Sequence, residues 1–136
     1  MIDNYFRAFD EIMGKYGLEK IKTIGDAYMA IGGIGKTLYN GAEKMVQAAL
    51  EMQEFSKKLL KESDKEQIQL RIGIHTGVVI AGVIGSKKLQ YDIWGDTVNI
   101  AARMEQNSEP SRVNISEVTQ HCERQIPAHL SWENRS

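Results

Sequence analysis

Asn99 and Arg103 lie four residues apart in the stretch Gln90-Tyr-Asp-Ile-Trp-Gly-Asp-Thr-Val-Asn-Ile-Ala-Ala-Arg-Met-Glu105. On a helix that spacing puts an amide and a guanidinium on one face, about one turn from each other. Asp92 and Asp96 come just before them, around the turn residue Gly95. This set suits a sugar-phosphate ligand, because arginine's planar fork of donors matches phosphate oxygens. A surface helix with one polar face has the same pattern, and spacing alone does not separate the two readings.

A second stretch, Glu19-Lys-Ile-Lys-Thr-Ile-Gly-Asp-Ala-Tyr-Met-Ala30, adds to the set. Ile21, Thr23 and Ile24 suggest a strand, Gly25-Asp26 a tight turn, and Ala27 to Ala30 a return strand. A carboxylate at that turn tip, Asp26, can meet a hard cation. Lys22 is expected to point out of the strand before it. His75 could ligate a metal, but no second ligand stands at a suitable spacing, and a hydrogen-bonded structural role fits it better. His121 and His129 are weaker candidates.

Ala30-Ile-Gly-Gly-Ile-Gly-Lys-Thr37 is a loose form of the phosphate-cradling loop of nucleotide hydrolases, placed between a strand and a helix. The first glycine is replaced by Ala30. Leu38 to Gly41 intervene before a helix begins, so a helix N-terminus would not aim at a phosphate held by Lys36. No later apolar strand ends in a magnesium-holding aspartate. A glycine-rich exit from the hairpin explains the segment.

These residues need elements to hold them. Ile2, Tyr5, Phe6, Phe9, Ile12 and Met13 form a helical stripe that Gly17 ends. A second helix, about Ala42 to Leu60, packs through Met45, Val46, Ala49, Leu50, Met52 and Phe55, followed by a charge run, Lys57 to Glu66. Ile68, Leu70, Ile72 and Ile74 alternate with Gln69, Arg71 and Gly73, the pattern of a strand with one buried face. Val78 to Ile84 is almost continuously apolar, as a central strand would be, and His75-Thr-Gly77 is short enough for a hairpin between these two. Gln90 to Ile93 reads as a short strand and the stretch from Thr97 as a helix. Glu105 to Ser111 is a loop, Val113 to Ile115 a strand, and Ser116 can cap a helix running to about Arg124. Pro127 precedes a last strand, Leu130 to Glu133. Strands mixed with helices and hairpins predict an α+β sandwich, one sheet covered by helices.

The 136 residues amount to about one domain, with ordinary hydrophobic (42%) and charged (26%) content, so a core is possible. A net charge of -1 gives no reason to expect nucleic acid as a partner. One cysteine, Cys122, cannot form an internal disulfide and fits a reducing compartment. No apolar run reaches the about 18 residues of a membrane span, and no signal peptide begins the chain. The expected location is cytoplasmic.

The Glu19–Ala30 and Gln90–Glu105 stretches, joined by Arg71-Ile-Gly-Ile-His-Thr-Gly-Val-Val-Ile-Ala-Gly-Val-Ile-Gly85, resemble the catalytic domain of the class III adenylyl and guanylyl cyclases. The likeness runs from about Phe6 to Glu133. It implies a ferredoxin-like α+β core and a homodimer, or a pairing with another cyclase domain, with the active site shared across the interface. In the family, one subunit supplies two aspartates for two Mg2+ or Mn2+ ions, and the other supplies the base- and phosphate-recognising residues. Asp26 matches the second metal aspartate, and Lys22 with Asp92 the pair that reads the base. Asn99 matches the ribose-orienting residue, and Arg103 the one that stabilises the transition state. Lys22 with Asp92 implies ATP, hence an adenylyl cyclase that makes 3′,5′-cyclic AMP and pyrophosphate.

Two departures stand out. The family's first metal aspartate lies in a pattern like F-x-D-I-x-G-F-T, which this sequence lacks; Asp3 and Asp10 lie in a helical pattern and are poor substitutes. The family's K-G-x-G segment is also missing. Residues 1–136 are therefore expected to be a partial cyclase domain lacking its first and last strands, without regulatory domains. A fragment that only dimerises or binds nucleotide is the alternative.

Overall fold

The computed structural model describes residues 2–62, 69–84 and 90–122. The expected helical stripe is seen in α1 (Ile2–Tyr16), which buries Tyr5, Phe9, Ile12 and Met13. Gly17 ends it at φ +71. The Gly17 N–H reaches the Gly14 carbonyl (3.2 Å), and the Leu18 N–H reaches that of Met13 (2.9 Å). This doubly bonded stop favours glycine, and it sets Leu18 in the same apolar cluster as Met13.

The hairpin follows as expected: β1 (Glu19–Ile24) pairs antiparallel with β2 (Ala27–Ile31) across Gly25-Asp26. A bulge interrupts the ladder between Lys20 and Lys22. Helix α2 (Gly41–Glu62) is sandwiched. Ala48 and Met52 join the α1 cluster, whereas Val46 and Ala49 pack with Ile74, Val113 and Ile115. The single packing side expected for this helix is thus two. Gln53 fixes its height, donating to the carbonyls of Leu70 (3.1 Å) and Arg112 (3.0 Å).

The remaining elements are β3 (Arg71–Ile74), β4 (Ile80–Ile84), β5 (Gln90–Trp94), α3 (Asp96–Gln106), β6 (Arg112–Ile115) and α4 (Glu117–Cys122). The expected β3–β4 hairpin is not formed. β3 pairs in parallel with β6, and β4 pairs antiparallel with β5. The chain between β3 and β4 is tied elsewhere: Thr97 Oγ1 donates to the Val78 carbonyl (2.5 Å), and the Val78 side chain is 88% exposed. Val78 therefore does not open a buried central strand, and β4 starts two residues later. The expected single sheet is likewise replaced, among the described residues, by three two-stranded ladders: β1–β2, β3–β6 and β4–β5. β1 packs beside β5, and α3 lies over β3, β5 and β6. The architecture is α+β, as expected. Ile68, the last strand at Leu130–Glu133 and His129 lie outside the described residues.

Against α1, Tyr28 from β2 donates its phenol proton to Asp10 Oδ1 (2.6 Å). Burial, and then the Asp10 carboxylate, push the phenol well above its ordinary range. The folded chain therefore keeps a proton that the unfolded chain gives up above about pH 10. This stabilisation is complete below that pH and is lost as pH rises towards the folded value. Thermal melts are expected to fall above about pH 10, and Tyr28→Phe should flatten that decline; an unchanged profile in the variant would refute the assignment.

Candidate active site

Lys22 sits where the β1 ladder is irregular. Strict alternation would put Ile21 and Lys22 on opposite faces with unequal burial. Beside the bulge both are half-buried. Lys22 is thus half-buried on this strand. Its ladder partner is Met29, and Asp26 lies in the turn beyond the last rung, Ile24 with Ala27, exposed at the tip. Asp92 stands at the centre of β5, opposite Gly82 of β4. Because β1 packs beside β5, the strands carrying Lys22 and Asp92 are neighbours.

Helix α3 starts after Gly95, whose φ of 119 favours glycine. The Gly95 carbonyl accepts from the N–H groups of Val98 (3.2 Å) and Asn99 (3.3 Å). Asp96 in the first turn has the sign that the helix N-terminus favours. Asn99 and Arg103 are both exposed, one turn apart. The structure so gathers α3, β5 and β1 into one region, with Asp26 at the tip of the β1–β2 hairpin.

Three residues that sequence reasoning passed over hold α3 in place. Thr97 ties its start to Val78. Asn114, fully buried on β6, donates to the Met104 carbonyl (2.8 Å) near its end. Gly73 lets the helix cross β3 so closely that an added Cβ would fall inside the backbone of Met104 and Glu105. One signal was available: a glycine inside an alternating strand marks a close backbone approach.

The other candidates are accounted for structurally. His75 Nδ1 is 2.7 Å from Ser116 Oγ, the hydrogen-bonded role expected for it. Ser116 also caps α4 by accepting the Thr119 N–H (3.3 Å). Thr37, the last residue of the loose phosphate-loop pattern, is 2% exposed. Its hydroxyl accepts from the Gly33 N–H (2.9 Å) and donates to the Ile34 carbonyl (3.2 Å), so it is turned inward and engaged. Cys122 is free and exposed. Among the described residues no helix is long and apolar enough to cross a membrane.

The adenylate and guanylate cyclase catalytic domain profile matches residues 1–135, and the chain belongs to that family. It is 40% identical over 116 residues to the guanylate cyclase soluble subunit beta-2 of Rattus norvegicus, covering 85% of this chain and 17% of that protein. It is 38% identical over 114 residues to an adenylate cyclase of Mycobacterium bovis, covering 84% of this chain and 26% of that protein. The chain thus spans about a fifth of the length of these relatives. Among solved structures, it resembles the catalytic core of a rhodopsin-guanylyl cyclase with converted specificity in complex with ATPαS (TM-score 0.79, 35% identity, 90% of this chain and 66% of that one). It also resembles a non-canonical dimeric guanylyl cyclase domain from Blastocladiella emersonii (TM-score 0.80, 34% identity, 90% and 68%). Relatives of both base preferences thus share the fold.

Proposed function

We propose that this chain is the adenylyl type of cyclase domain, forming 3′,5′-cyclic AMP and pyrophosphate from ATP in a site shared between two domains. The carrying observation is that Lys22 on β1 and Asp92 on β5 lie on neighbouring strands. Adenine offers an amino donor and a ring-nitrogen acceptor on one edge. Asp92 accepts from the first and Lys22 donates to the second. Guanine presents a carbonyl and a protonated ring nitrogen there, so both contacts would be mispaired. Sites built on hydrogen bonds reject such an edge by large factors.

In the reaction the ribose 3′-oxygen attacks the α-phosphorus in line. The bond to the β-phosphate oxygen breaks, pyrophosphate leaves, and the 3′-hydroxyl proton is lost. Asn99 orients the ribose. Arg103 neutralises charge growing on the phosphoryl oxygens. A solved relative forms a non-canonical dimer, which supports pairing between such domains but not this particular shared site.

The family's two divalent ions do not fit the described residues by themselves. Magnesium and its relatives are held through carboxylates. Asp26 is one carboxylate, and no group of three or more His, Cys, Asp or Glu among the described residues could hold a metal. The second reading is a domain that pairs and binds nucleotide without turning it over alone.

One assay separates the two. The purified chain is given ATP and GTP with manganese, alone and mixed with a relative's cyclase domain that keeps its metal aspartates but has lost its own arginine. The mixture is expected to make cyclic AMP, preferring ATP by about 100-fold or more. Product from neither mixture, with ATP still bound, would establish the nucleotide-binding reading; preference for GTP would overturn the base assignment.

A further inference from the structure

The segment between β2 and α2 plays no part in the cyclase reading, and it has an unusual surface. Ile34, Leu38 and Tyr39 are all exposed, Tyr39 at 96%. Their exposure is imposed by a backbone fixed from behind. Thr37 is buried and bonded to Gly33 and Ile34. Gly32 abuts Leu18 and the Gly41 carbonyl, and Gly17 lies against the aliphatic stem of Lys36. Successive tight turns join Thr37 N–H to the Ile34 carbonyl (3.1 Å), Leu38 to Gly35 (3.3 Å) and Asn40 to Thr37 (3.2 Å). The three apolar side chains therefore project from one short, wound knob. Residues 27–42 include no Asp or Glu, and Lys36 is their one charged residue.

We propose that this knob is a membrane-contact element, which sets Ile34, Leu38 and Tyr39 into the headgroup–acyl boundary of an anionic bilayer while Lys36 meets the lipid phosphates. Three features favour lipid over protein. Three side chains fall well short of the about 800 Å² per partner of a stable protein interface. An aromatic ring and branched aliphatics beside a lysine are the make-up of an interfacial anchor, with the ammonium reaching up to the headgroups. The absence of carboxylates spares the segment repulsion by a negative leaflet, which attracts Lys36. One such element binds weakly and reversibly.

Sedimentation of the full chain with vesicles tests this. The chain is expected to pellet with mixed phosphatidylcholine–phosphatidylserine vesicles and much less with phosphatidylcholine alone. Replacing Ile34, Leu38 and Tyr39 together by serine should lower partitioning about tenfold or more. Lys36→Gln should lower it several-fold, and salt should abolish that difference. Circular dichroism checks the fold; Tyr39→Ser alone removes an almost fully exposed side chain and should weaken binding without changing the spectrum. The proposal is overturned if the chain stays in the supernatant with both vesicles, or if the triple variant pellets like the parent. It is equally overturned if the triple variant only reduces self-association on a sizing column, since the knob's occupant is then a second copy.

Discussion

Gly73→Ala is expected to lower the stability of the chain by about 3 kcal/mol, a large effect for one methyl group. The added Cβ meets the backbone of Met104 and Glu105, which cannot rotate aside as a flexible side chain would. Helix α3 must move off β3, which strains the Asn114 bond to Met104 and the Thr97 bond to Val78. Gly14→Ala provides the contrast. Gly14 lies in α1, and nothing stands within 4 Å of its added Cβ. Alanine there should raise stability by about 1 kcal/mol through helix propensity. Urea denaturation of both variants reads the two signs. A Gly73→Ala midpoint equal to the parent's would mean that α3 does not rest on β3 as described. In the mixed assay the same variant should also lose cyclic AMP production, because Arg103 directly precedes Met104.

Arg103→Ala should do the reverse, leaving the fold intact and removing the chemistry. Arg103 is exposed on α3, and a surface substitution of this kind usually changes stability by no more than about 0.5 kcal/mol. Its proposed role is charge neutralisation at the phosphoryl oxygens, where loss of one donor costs about 100- to 1,000-fold in turnover. The chain carrying Arg103→Ala, mixed with the complementing domain, is expected to lose cyclic AMP synthesis to that degree with an unchanged urea midpoint. Lys36→Ala is the control: a phosphate-loop hydrolase would lose ATP turnover, whereas the cyclase reading predicts no change. Turnover that survives Arg103→Ala would remove the residue from the site.

The sequence made the local elements legible because their causes are local. Tyr5, Phe9, Ile12 and Met13 announce α1 by their spacing, and Gly25-Asp26 announces the hairpin. Pairing partners were not legible in the same way. Alternation in Ile72 and Ile74 marks a strand, but it does not say that Ile74 lies beside Ile115 rather than beside the next strand along the chain. Nearness in sequence favoured the hairpin; the binding of Val78 by Thr97 and the return of β6 through α3 decided otherwise. The bulge that half-buries both Ile21 and Lys22 leaves no compositional trace, so the setting of Lys22 emerged only from the ladder. For the site, the spacing of Asn99 and Arg103 was sound, but the residues that fix their helix lie on other elements. Gly73, Asn114 and Thr97 act through three-dimensional contact, and of the three only the glycine gave a sign of it.

The parallel pairing of β3 with β6 also bears on how the chain reaches its fold. His75 and Ser116, which meet at the ends of these strands, are 41 residues apart, with β4, β5 and α3 between them. Closing so long a loop has an entropic cost that is recovered only once the strands are joined, so non-local pairings of this kind form late. The α1–hairpin contacts are far more local. Lys22 therefore belongs to the part of the molecule that is set early, and Arg103 to the part set last. During folding, Lys22 waits for both its base-reading partner Asp92 on β5 and Arg103 on α3.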